Sequence, residues 1–82
     1  MDSAEIRELV QAELAHLGFA DAKSLGERLL YCDRYYIGVR YAFEGVSAIW
    51  LAGAGHLRFV NDAGVLLKIS SLHTNHLAER AA

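Results

Sequence analysis

From Tyr35 to Leu51 two runs rich in aromatic and β-branched residues, Tyr-Tyr-Ile-Gly-Val-Arg-Tyr-Ala-Phe and Val-Ser-Ala-Ile-Trp-Leu, are separated only by Glu44-Gly45. Such side chains favour a pleated, half-buried surface, and two runs joined by a short glycine turn read as a β-hairpin. A two-residue turn sets Phe43 opposite Val46, Tyr41 opposite Ala48 and Val39 opposite Trp50. Side chains alternate along a strand with a period of two, so this register gathers the apolar residues of both strands on one face. The chain is therefore expected to be organised around a sheet with one apolar side.

The neighbouring turns extend that sheet. Gly53-Ala54 suits a type II′ turn and sets Trp50 opposite Leu57 and Ala48 opposite Phe59. Asn61-Asp62-Ala63-Gly64 reads as a type I turn ending in a left-handed glycine, which sets Phe59 opposite Leu67 and Leu57 opposite Ile69. Upstream, Arg28 to Cys32 forms a first strand turned by Asp33-Arg34, although arginine is poor chemistry at a primed-turn position. Strands are thus expected near 28–32, 35–43, 46–52, 56–61 and 65–69. Their shared core face carries Leu30, Ile37, Val39, Tyr41, Phe43, Val46, Ala48, Trp50, Leu57, Phe59, Val65, Leu67 and Ile69.

Residues 2–17 are the helix. Asp2 is the expected N-cap, Glu5 its capping-box partner, and Ile6, Leu9, Val10, Leu14 and Leu17 form one stripe. Gly18 stops it, with Phe19 packing back on Leu14 in a Schellman ending. Residues 20–27 form a connection. Glu13 falls inside the apolar arc, where it either leans out at the rim or is held by Arg28 or a tyrosine hydroxyl, because an unpaired carboxylate there is costly. Residues 71–80 make a short helix from a serine cap or a plain tail. The expectation is an α+β fold, the N-terminal helix packed on a four- to five-stranded antiparallel meander that either stays open or curls towards a small barrel.

The 82 residues make one domain, and at this size about 60–65% of the unfolded chain's surface is buried, so a partner copy would add stability. The hydrophobic share of 54% is high beside a charged share of 22%, which places the excess apolar surface in a dense core or under another chain. A net charge of −2 argues against nucleic acid or an acidic membrane as the main partner. The single cysteine, Cys32, excludes an intrachain disulfide and fits a reducing, cytoplasmic setting. The acidic opening Met1-Asp2-Ser3-Ala4-Glu5 does not read as a secretory signal. The longest uncharged run, Gly45 to Leu57, falls short of the roughly 18–20 residues that span a bilayer.

The segments Leu29-Leu30-Tyr31-Cys32-Asp33-Arg34-Tyr35-Tyr36-Ile37-Gly38, Ala48-Ile49-Trp50 and Phe59-Val60-Asn61-Asp62-Ala63-Gly64-Val65-Leu66 resemble the strand region of a group of short, uncharacterised bacterial proteins. The resemblance covers about half the chain and rests on turn and core residues, so it implies a fold and no activity. This sequence departs from it at Arg34, where the group has glycine, and at Gly53-Ala54-Gly55, where the group has acidic residues.

No residues carry readable catalysis. Gly53-Ala54-Gly55 is followed by a strand, whereas a phosphate-binding Gly-x-Gly leads into a helix. Of His16, His56, His73 and His76 only the last two have ligand-like spacing, and Cys32 would have to be recruited from a distant strand to help hold zinc. No serine or cysteine is placed beside a base by spacing. No enzymatic activity, cofactor or metal is expected.

The opposite face of the sheet is more informative. The same registers place there Leu29, Tyr31, Tyr36, Gly38, Arg40, Ala42, Ser47, Ile49, Leu51, His56, Arg58, Val60, Leu66 and Lys68, with Arg40, Ile49, Arg58 and Lys68 in one row and Arg58 unfavourably opposite Lys68. Tyr36, Arg40, Ile49, Leu51, Arg58 and Lys68 are the candidate interaction residues. The expected function is a non-enzymatic protein-interaction module, a homo-oligomer associating through this face or a sheet edge. The alternative is a weak anion or single-stranded nucleic-acid binder, with Tyr31 and Tyr36 stacking on bases and the cations on phosphates.

Overall fold

A computed structural model describes residues 3–71. Helix α1 (Ser3–His16) is followed by β1 (Ser24–Cys32), β2 (Tyr35–Phe43), β3 (Val46–Leu51), β4 (His56–Asn61) and β5 (Leu66–Ser71). The strands form one antiparallel sheet in the order β1-β2-β3-β4-β5. Its two ends are separate edges, so the sheet is open and not a barrel; the fold is α+β. Asp2 and residues 72–82, including the expected tail helix and His73 and His76, lie outside the described residues. Among the described residues no helix is long and apolar enough to cross a membrane.

α1 ends as its sequence dictates. Gly18 adopts φ 90°, the Phe19 N–H donates to the Leu14 carbonyl at 2.7 Å and the Gly18 N–H to that of Ala15 at 3.2 Å, the paired bonds of a Schellman ending. The i, i+4 residues Ile6, Val10 and Leu14 are buried against Val39, Tyr41, Phe43, Val46, Ala48, Leu57 and Phe59, with Phe19 and Trp50 packed at the margin. Each large side chain buried in this way contributes about 1.5–3 kcal/mol. All seven sheet residues come from β2, β3 and β4, where the observed pairs match those set by the turns: Val39 with Trp50, Tyr41 with Ala48, Trp50 with Leu57, Ala48 with Phe59. One turn differs in detail. Between β3 and β4 the chain makes a four-residue loop closed by the Gly55 N–H on the Leu51 carbonyl (2.8 Å), and Gly55 takes the left-handed conformation expected of Gly53. Four residues preserve the parity of two, so the pairing is unaffected.

The outer strands depart from expectation. At the first hairpin Asp33 and Arg34 both take positive φ (49° and 76°), and Cys32 pairs with Tyr35 and Tyr31 with Tyr36 as that turn requires. Leu30 then pairs with Gly38, leaving Ile37 as an extra residue. The last hairpin behaves the same way. The Asn61 side chain accepts from the Ala63 and Val65 N–H groups, Gly64 is left-handed and Val60 pairs with Leu66, but Phe59 then pairs with Lys68 and skips Leu67. A single extra residue shifts the register by one and sends every following side chain of that strand pair to the other face. Leu30 therefore lies on the face away from α1. Of the other residues expected in the core, Ile37 and Leu67 are the extra residues themselves (38% and 37% exposed), Ile69 follows one (45%), and Val65 lies in the loop before β5 (54%). β1 also starts earlier than expected, at Ser24, with Leu25 extra before Gly26, which adopts φ 127°.

The bulge at Leu67 resolves Glu13. It carries Lys68 and Ser70 to the helix side, where Lys68 forms an ion pair with the Glu13 carboxylate and the Ser70 hydroxyl donates to it at 3.3 Å. The partners are thus Lys68 and Ser70, and not Arg28 or a tyrosine. On the opposite flank Arg7 grips Glu27 of β1 through two bonds of 2.7 and 2.9 Å. These bonds hold the Glu27 carboxyl below its ordinary pKa. α1 is thereby tied to both edge strands.

Candidate interaction face

Nothing among the described residues covers the sheet on the side away from α1. Its central cross-strand row runs Arg28, Arg40, Ile49, Arg58, Ile69, one residue from each strand. On one side lie Leu30, Gly38, Leu51, His56 and Ser71; on the other, Gly26, Ala42, Ser47, Val60 and Leu66. No carboxylate stands in these rows, and among the described residues the three arginines make no ion pair. Arg40 reaches the Ser47 hydroxyl at 3.3 Å, and the Arg58 Nε–H donates to His56 Nε2 at 3.3 Å. Arg28 and Arg40 also line a hollow with Leu25, Gly26, Glu27, Leu30 and Ala42.

Four of the six candidate residues are brought together here: Arg40, Ile49, Leu51 and Arg58. The other two leave. Lys68 is on the helix side against Glu13. β1 runs without interruption from Glu27 to Cys32, so alternation from Glu27, bonded to Arg7, carries Leu29 and Tyr31 to the helix side, and Leu29 accordingly pairs with the core residue Val39. Tyr36 follows Tyr31, their rings meeting edge to face with centroids 6.4 Å apart. Sequence reasoning missed Arg28 and Ile69. One sign pointed to the slip in β5, an Arg58–Lys68 opposition that repels. Moving β5 by one residue removes it and gives Glu13 the partners Lys68 and Ser70 in place of the expected Arg28 or tyrosine.

A second exposed region lies along the outer edge of β1. Leu25, Leu29 and Tyr31 are exposed there, with Tyr35 and Tyr36 beside them on β2. Among the described residues no group of three or more His, Cys, Asp or Glu side chains is placed to hold a metal ion. No protein-family model, curated protein or solved structure matches the chain. The two surfaces are therefore read from their own chemistry.

Proposed function

We propose that this chain is a non-enzymatic protein-interaction module that associates with itself. The observation that supports this is that ten large hydrophobic side chains remain exposed among the described residues, five of them (Leu25, Leu29, Tyr31, Tyr35 and Tyr36) along β1 and the adjoining part of β2. Exposed apolar surface gathered in patches, with tyrosine and arginine at its margins, has the composition of a protein interface. Size-exclusion chromatography with light scattering over a dilution series tests it. A two-chain mass at high micromolar concentration that falls on dilution is the expected result, and a one-chain mass throughout overturns the reading.

One observation favours a second reading, a weak anion binder: the row of Arg28, Arg40 and Arg58 contains no carboxylate, and among the described residues its arginines make no ion pair, the nearby Glu27 being held by Arg7. Single-stranded nucleic acid is a poorer fit than the sequence suggested, because Tyr31 and Tyr36 do not share the arginines' face and supply no stacking platform there. Retardation of a labelled oligonucleotide at low ionic strength, lost in Arg40→Gln/Arg58→Gln, is what this reading requires; no retardation disposes of it.

A further inference from the structure

We infer that the self-association runs through the outer edge of β1, two copies pairing antiparallel about Leu29 to make one continuous sheet. This rests on the self-association proposed above and names its surface and register.

The two edges of the sheet differ. β5 is six residues long, is interrupted by the extra Leu67 and carries Lys68, the features that blunt an edge against pairing. β1 is nine residues long, and from Glu27 to Cys32 its own backbone is unbroken, the irregularity near Leu30 belonging to Ile37 of β2. Leu29 and Tyr31 on that stretch are 56% and 59% exposed. An edge of this kind presents a row of unpaired N–H and C=O groups between apolar side chains, a template for another strand. The open face is less suited to a second copy. A two-fold axis beneath Ile49 would lay Arg40 over the partner's Arg58 if it runs along the strands and each arginine over its own copy if it runs across them, burying cations against cations with no carboxylate in the facing rows.

Charge also selects the register. Residues that meet across a two-fold strand pair must point to the same side, which leaves three centres near the middle of the stretch. Pairing about Arg28 sets that arginine against itself, and pairing about Leu30 sets Glu27 against the partner's Asp33. Pairing about Leu29 sets Leu29 on Leu29, Arg28 over Leu30, and Glu27 beside the partner's Tyr31. No like charges meet. The Glu27 oxygens that accept from Arg7 keep lone pairs for the partner's tyrosine hydroxyl.

The test places a cysteine at the proposed centre. In a Cys32→Ser background, Leu29→Cys with oxidised glutathione as electron acceptor should give a covalent dimer, and Leu67→Cys on the other edge should not. In light scattering, Leu29→Lys should raise the dimer dissociation constant at least about tenfold, the effect of losing a central interface residue, while Ile49→Glu leaves it unchanged. Circular dichroism confirms that the exposed Leu29 substitution keeps the fold. A wild-type dimer that survives Leu29→Lys, or that Ile49→Glu dissociates, overturns the edge assignment and leaves self-association standing. A wild-type monomer at high micromolar concentration overturns both.

Discussion

Gly38 gives the sharpest test of the bulged sheet, because two physical effects predict opposite signs for Gly38→Ala. Gly38 follows the extra residue Ile37, and the bend brings its backbone against β3. A Cβ there would lie 1.8 Å from the Trp50 carbonyl oxygen, 2.9 Å from its carbon and 3.3 Å from Leu51 Cα, where real Cβ atoms stay beyond 3.0 Å. Gly38 has no left-handed φ, so the lost chain freedom alone would make alanine stabilising by about 0.5–1 kcal/mol. Against this, the backbones must separate by more than 1 Å, with overpacking of about 1–3 kcal/mol. The bond from the Ala52 N–H to the Ile37 carbonyl, 2.9 Å long, is strained or lost, worth about 1 kcal/mol more. Sterics win by about 2 kcal/mol, which for a domain of this size lowers Tm by roughly 10–15 °C. Thermal melts followed by circular dichroism, with urea titrations to check that the m-value is unchanged, measure this. Equal or greater stability in Gly38→Ala would refute the bend at Ile37 and with it the placement of Tyr36.

A double-mutant cycle on Glu13→Gln and Lys68→Met should give a coupling of about 0.5–1.5 kcal/mol, the range for a partly exposed ion pair with an added hydrogen bond; no coupling would return Lys68 to the open face. Arg34→Gly should raise stability by about 0.5–1 kcal/mol, since it relieves roughly 1–2 kcal/mol of left-handed backbone strain and loses part of that to chain entropy. A fall in Tm would contradict it. Burial raises the Tyr41 pKa. Its neutral form is therefore favoured in the folded state, so stability is complete below the unfolded value of about 10 and declines as pH rises towards the folded one. Tyr41→Phe should flatten that alkaline decline, and an unchanged profile would count against burial of the hydroxyl.

The parts of the fold legible in the sequence hang on the central hairpin. Glu44-Gly45 fixed one register, the next loop preserved its parity, and Arg40, Ile49, Leu51 and Arg58 consequently sit where alternation put them. Tyr36 and Lys68 do not, because each lies beyond a bulge. Ile37 and Leu67 are ordinary strand residues, and nothing in their side chains announces an extra position. What did register the bulge in β5 was electrostatics, Arg58 facing a lysine across the expected pair. The early start of β1 was hidden by Gly26, which reads as a breaker but here serves the bulge after Leu25.

Amide hydrogen exchange at two protein concentrations tests the β1 pairing most directly. If two copies join along this edge, the amides of β1 between Glu27 and Tyr31 that point away from β2, every second one, gain protection as concentration rises, while those of β5 keep the same rates. Equal exchange of β1 at both concentrations would contradict it.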